Sequence, residues 1–184
     1  MSAALRPGAM NLVGFVEAPE SSDHPYEIDA DGRPYVPTGT AGIVLGIGLG
    51  GFVDGILLHQ IWQIHAMLSA RLPLDSMANM QTNMMADGAF HAAVWLATLI
   101  GVVLLFNAAR RTDVRFPPRV FYGSMLGGWG LFNVVEGVID HHLLELHHVV
   151  EALGQSRWDW IFLGVSAALI LLGWTIARER RPAG

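Results

Sequence analysis

Four stretches of this chain, residues 42–62, 88–107, 120–139 and 160–177, are each about 18–21 residues long and mostly apolar. That is the length a helix needs to cross a hydrocarbon core of about 30 Å at a rise of about 1.5 Å per residue. A soluble helix of this size needs a polar, charged face, and the second and fourth stretches carry no charge in their interiors. Composition agrees: 52% of the residues are hydrophobic and 15% charged, where soluble domains carry about a quarter charged. The expected fold is an all-α integral membrane protein, a bundle of four transmembrane helices within a domain spanning 41–182. With 16 acids against 11 bases, a net charge of −5, the chain lacks the cationic surface that nucleic acid requires. Its expected partners are membrane lipids and other membrane subunits or further copies of itself.

Every base is Arg, and the placement of the arginines sets an orientation. Arg110, Arg111, Arg115 and Arg119 follow the second span and Arg178, Arg180 and Arg181 follow the fourth, whereas the other two connections hold only Arg71 and Arg157. By the excess of positive charge on cytoplasmic loops, both termini are expected in the cytoplasm of a bacterium, with the domain in its inner membrane. Residues 1–40 hold six acids, two Arg and Pro19, Pro25, Pro34 and Pro37, and read as a polar, mostly extended leader without a signal peptide. The absence of Cys excludes disulfides, thiolate zinc sites, Cys-ligated iron–sulfur clusters and covalently attached c-type haem.

Sliding the sequence on itself by 82 residues aligns Asp54-Gly55-Ile56-Leu57-Leu58-His59-Gln60 with Glu136-Gly137-Val138-Ile139-Asp140-His141-His142, and continues with Gln63 over Glu145 and His65 over His147. An acid, a Gly and two His at one fixed spacing point to two parallel helix-pair repeats about an axis along the membrane normal. Spans one and three are expected to be pseudo-symmetric neighbours. In the second helices of the repeats Asp87 matches Asp159, which sets His91 opposite Leu163.

Charged and imidazole groups at membrane depth cost about 2.5–3.5 kcal/mol each on insertion scales and ordinarily serve a site. Seven of the eight His gather at one side of the membrane in this reading. If helices one and three overrun the membrane on the outer side, Asp54 and His65 share a face, about 20° apart, but stand roughly 16 Å apart along the axis. The polar residues then form layers: Asp54 with Glu136 deepest, His59 with His141 in the middle, His65 with His147 outermost. Asp87 and His91, at i and i+4, occupy one face of helix two. The candidate metal ligands are His59, His65, Asp87, His91, Asp140, His141, Glu145 and His147, with Asp87 either a ligand or an orienting group. Asp54 and Glu136 either form a proton route or hydrogen-bond across the Gly-rich helix surfaces.

Imidazole with carboxylate suits copper, non-haem iron or zinc. Met67, Met77, Met80, Met84 and Met85 place five of the eight Met within nineteen residues beside the cluster, and thioethers favour Cu(I), which tilts the expectation toward copper. Haem b between His59 and His141 is an alternative. The expected function is a copper- or iron-binding membrane protein in redox chemistry, alone or as a subunit of an oxidase or oxygenase assembly. Copper capture and delivery, a structural subunit, haem-based electron transfer and an oligomeric transporter are the alternatives.

The strings Gly50-Gly51-Phe52-Val53-Asp54-Gly55-Ile56-Leu57-Leu58-His59-Gln60, Asp87-Gly88-Ala89-Phe90-His91 and Glu136-Gly137-Val138-Ile139-Asp140-His141-His142 with His147-His148 resemble a bacterial family of four-helix membrane proteins of unknown function. The resemblance covers about residues 40–178; it implies the membrane fold and supplies no reaction. Asp87-x3-His91 is also similar to the start of the copper site in the C subunit of particulate methane and ammonia monooxygenases, which implies copper.

Overall fold

A computed structural model describes residues 38–111 and 117–178. Nearly all of the acidic leader, Arg115, Arg180 and Arg181 lie outside the described residues. The described residues are helical and contain no strand. Helix α1, Thr38–Val53, continues as a π-helical segment, Asp54–Ile61; α2 covers Met77–Ala109; α3, Pro118–Glu136, continues as a second π-helical segment, Gly137–Leu143; a short 3-10 turn occupies Glu151–Leu153; α4 covers Arg157–Ala177. Thr38–Ile61, α2 and α4 are each long and apolar enough to cross a membrane. Ser76 caps α2 by accepting from the Asn79 N–H at 3.2 Å, and Ser156 with Asp159 forms a capping box on α4. The cap at Ser76 starts α2 at Met77, well before residue 88.

A Gly-rich segment such as α1 would be a poor helix in water, at about 1 kcal/mol per Gly relative to Ala. In a bilayer the backbone must satisfy its own hydrogen bonds, so the helix persists and its glycines serve packing. Gly46 lies against the backbone carbonyl of Met125, and Gly128 against that of Ile43. A Cβ on Gly42 would stand 2.6 Å from the carbonyl oxygen of Phe121. The same close approach joins α3 to α4, where a Cβ on Gly123 would stand 2.6 Å from the carbonyl oxygen of Gly173. On the other flank Gly48 meets Thr98 and Gly101 meets Leu45.

The helices therefore stand in the row α2–α1–α3–α4, with α1 packed on α2 and α3, and α3 on α4. The four expected helices are thus arranged as a row: the glycines concentrate on α1 and α3, so the two central helices draw together and the outer pair flanks them. Trp95, Leu96 and Ile100 on α2 and Val165, Leu171 and Leu172 on α4 remain exposed, as lipid-facing side chains do.

The repeat holds down to single hydrogen bonds. Trp62 N–H donates to the Leu57 carbonyl at 2.8 Å and Leu144 N–H to that of Ile139 at 2.7 Å; Ile64 donates to Leu58 at 2.9 Å and Leu146 to Asp140 at 2.7 Å. Gln63 and Glu145 take left-handed backbone, with φ of 50° and 46°. Helices one and three thus end at Ile61 and Leu143. The straight overrun through His65 and His147 is corrected: widened turns and a left-handed residue reverse the chain in each repeat. Ser69 and Glu151, equivalent by the 82-residue shift, then bond to each other at 2.8 Å across the pseudo-two-fold axis.

Candidate metal centre

The reversal folds each outer His back over the helix end it left. Ring centroids of His59 and His65 are 4.5 Å apart, those of His141 and His147 4.8 Å, and the His65 and His147 rings stack at 4.6 Å. The layered arrangement, with acids and outer His too far apart to share an ion, is therefore overturned: Glu136 Oε1 lies 2.9 Å from Nε2 of both His141 and His147.

Each Nδ1 faces a partner outside the cluster. His59 Nδ1 lies 2.9 Å from Asp87 Oδ1, and His141 Nδ1 faces Asp159 Oδ1 at 3.5 Å. His65 Nδ1 donates to the Val149 carbonyl at 3.2 Å and His147 Nδ1 to the Met67 carbonyl at 3.1 Å, each crossing to the other repeat. The same two residues steady the acids through their N–H groups, Met67 to Asp87 Oδ1 at 2.9 Å and Val149 to Asp159 Oδ1 at 3.0 Å. Such outer partners fix the tautomer and rotation of ligating imidazoles.

A carbonyl oxygen only accepts, so Nδ1 of His65 and His147 carries the ring proton, and in the neutral ring Nε2 is a bare lone pair. His147 Nε2 nevertheless meets Glu136 Oε1 at 2.9 Å. Two acceptors at that distance need a cation between them, either a proton or a metal ion. Nε2 of His65 and Oε2 of Glu136 are buried without a hydrogen-bond partner, while Nε2 of His59 and of His141 meet only carboxylate oxygens, Asp54 Oδ2 at 3.3 Å and Glu136 Oε1 at 2.9 Å. Two sets of ligand atoms lie close enough to hold an ion: His59, His65 and His147, and Glu136, His141 and His147. They share His147.

The other expected site residues are placed differently. Asp87 acts behind His59, facing its Nδ1. His91 belongs to neither ligand set: its Nδ1 bonds the Asp87 carbonyl oxygen at 2.7 Å, and a Cβ on Gly55 would stand 2.7 Å from its Nε2. Leu163 meets Gly137 in the same way, so His91 occupies a packing position that the second repeat gives to Leu. Glu145 is half exposed and pairs with Arg71 at 3.5 Å, away from the centre, because its left-handed backbone lies at the reversal. Asp140, half-buried one residue before His141, belongs to neither ligand set and lines a cavity between α2 and α3 instead. Asp54 and Glu136 are side-chain neighbours of the imidazoles, not a separate deep layer. Asp159 was absent from the expected ligands; its alignment with Asp87 was the signal for its role.

Burial, followed by the neighbouring His147 and His59, lowers the pKa of His65 to about 3. The folded value lies below the ordinary 6.5 of an unfolded chain, so between these values the unfolded chain binds more protons. His65 therefore costs nothing above about pH 6.5, and stability is lost as the pH falls from there toward 3. Thermal melts of metal-free protein in detergent should show that His65→Asn weakens the acid-side loss relative to the parent chain, with no such difference in slope above pH 7.

Fold and centre together define a helical membrane protein with a buried imidazole–carboxylate cluster that could hold a metal ion. The model of the family described as "Predicted membrane protein (DUF2243)" matches residues 41–180, and the chain belongs to that family. No curated protein and no solved structure matches it.

Proposed function

We propose that this protein is a four-span integral membrane protein that binds a transition-metal ion, copper or non-haem iron, at the end of the helix row away from the arginine clusters, and serves redox chemistry alone or within a larger oxidase or oxygenase assembly. In this reading both termini lie in the bacterial cytoplasm and the centre near the outer face. The carrying observation is the anchoring of imidazole Nδ1 atoms from outside while Nε2 lone pairs and a carboxylate converge inside. His59, His65 and His147, or Glu136, His141 and His147, would hold the ion. A bound metal with an open position would supply Lewis acidity or electron transfer; the chain's own groups hold its ligands in register. A cavity of about 390 Å³ lined by Gln63, His65, Ser69 and Glu151 offers an access route from the water side. His65 and His147 stack at 4.6 Å and each packs within 4.5–6.4 Å of both His59 and His141, which favours a bare ion over a haem.

Copper capture is a second reading, favoured by Met77, Met84 and Met85, which are 71–76% exposed at the start of α2, the end that carries the centre. Elemental analysis with a visible spectrum on detergent-purified protein tests both. Metal near one equivalent or more is expected, and Asp87→Asn with Asp159→Asn should weaken its binding about 10–100-fold while the protein stays folded. A metal-free, colourless protein that takes up neither copper nor iron overturns the proposal and leaves a structural subunit.

A further inference from the structure

A second cavity, of about 320 Å³, lies between α2 and α3, the helices that the row keeps apart. It falls within the usual range for small-molecule sites, about 300–1,000 Å³. Ile47 of α1 lines it, together with Val94, Ala97 and the rings of Phe90 and Phe132, whose centroids are 5.9 Å apart. Ala93, Val135 and Ile139 line it too and are exposed on the apolar flank of the row, so the cleft opens toward lipid. Two carboxylates interrupt this apolar lining, Glu136 and Asp140. Glu136 is 6% exposed, and its Oε2 is buried without a hydrogen bond, while its Oε1 touches His141 and His147.

The fold does not require this polar lining. By the 82-residue shift Asp140 is equivalent to Leu58, Ile47 to Trp129 and Phe132 to Gly50. At the symmetry-related position the Trp129 ring of the second repeat packs onto Gly50 of the first, 2.5 Å from where a Cβ would stand. That position thus pairs a large ring with Gly and has Leu58 where the α2–α3 cleft has a carboxylate. An acceptor buried in apolar surroundings is costly until a donor reaches it, and a lipid acyl chain has none.

We propose that the cleft binds a bilayer-dissolved quinol, its aromatic ring packed alongside the Phe90 and Phe132 pair and a hydroxyl donating to a carboxylate of Glu136 or Asp140. The quinol would then stand one carboxylate away from the imidazole cluster, close enough to pass its two electrons, one at a time, to an oxidised ion held there while its two hydroxyl protons pass to the carboxylates and it leaves as the quinone; in that respect the inference rests on the function proposed above.

The test uses the whole protein in phosphatidylcholine nanodiscs, titrated with decyl-benzoquinol and, separately, with decylbenzene, and its metal content is measured in the same samples. Saturable binding of one quinol per chain is expected. Decylbenzene should bind at least about tenfold more weakly, since a hydrogen bond to a charged group contributes about 1.5–3 kcal/mol. Asp140→Leu, which copies the first repeat, should lose about tenfold, and Ala97→Phe, which fills the cleft, should abolish binding; both should keep the parent's metal content and thermal midpoint. Equal binding of decylbenzene, or quinol binding unchanged in both variants, overturns the inference and leaves the metal reading intact. Quinol binding that depends on Asp140 in a protein unable to hold metal supports the cleft and overturns only the centre.

Discussion

Replacing His147 by Ala is expected to remove bound metal altogether, a larger loss than the about 10–100-fold expected for the outer partners. His147 is common to both ligand sets, so no alternative set of three survives its loss. The substitution also leaves the Met67 carbonyl without its partner and opens space beside a fully buried ring, which together cost about 2–4 kcal/mol of stability. Elemental analysis and a thermal melt on one sample separate these effects. His91→Ala is the control, because His91 belongs to neither ligand set and hydrogen-bonds the Asp87 carbonyl of its own helix, and it should leave metal content within error. If the His147 variant melts lower but keeps its metal, the cluster is a structural hydrogen-bond network.

Gly46→Leu should be the most destructive change in the membrane helices. The obstacle at Gly46 is the Met125 carbonyl, part of the α3 backbone, so no rotamer change makes room and α1 and α3 must part. Overpacking ordinarily costs about 1–3 kcal/mol, and a backbone clash at the central pair should reach or exceed the top of that range. The expected results are low yield, aggregation in size-exclusion chromatography and loss of metal, since His147, common to both ligand sets, is held by the Met67 carbonyl of the other repeat. Gly127→Leu is the matched test: it lies on the same helix as Met125, nothing stands within 4 Å of its Cβ position, and it should fold normally. A Gly46→Leu protein as stable as Gly127→Leu would mean that α1 and α3 are not in tight contact.

Three of the four apolar spans and the repeat were legible because hydrophobic length and an 82-residue self-match are long-range signals that single residues do not disturb; α3 is helical but is not among the helices long and apolar enough to cross a membrane. The convergence of the site was not legible. At 100° per residue a helix continued through His65 separates it from Asp54 by roughly 16 Å, and nothing in the letters Gln63 and Glu145 marks a left-handed residue, a role in which Gly or Asn would be expected. One hint was present: His59–His65 and His141–His147 share a spacing of six, which puts the paired rings on different faces of a straight helix and makes sense only if the helix stops between them. His91 misled because Asp87-x3-His91 has chelating spacing, whereas its repeat partner Leu163 already marked the position as packing. Asp159 aligns with Asp87 but sits at a helix start, where a capping acid is ordinary, and it does accept from the Ser156 N–H as well.

The crossed bonds of His65 to Val149 and His147 to Met67 carry a consequence for ancestry. Neither half can orient its own outer imidazole, so a free two-helix ancestor could have built this centre only as a symmetric homodimer. In such a dimer every substitution appears twice, and a carboxylate at the position of Asp140 would also have replaced Leu58. Fusing the two copies into one chain lifts that restriction, and the two symmetry-related positions between the repeats became free to differ: one filled by Trp129 against Gly50, the other an open, acid-lined cleft.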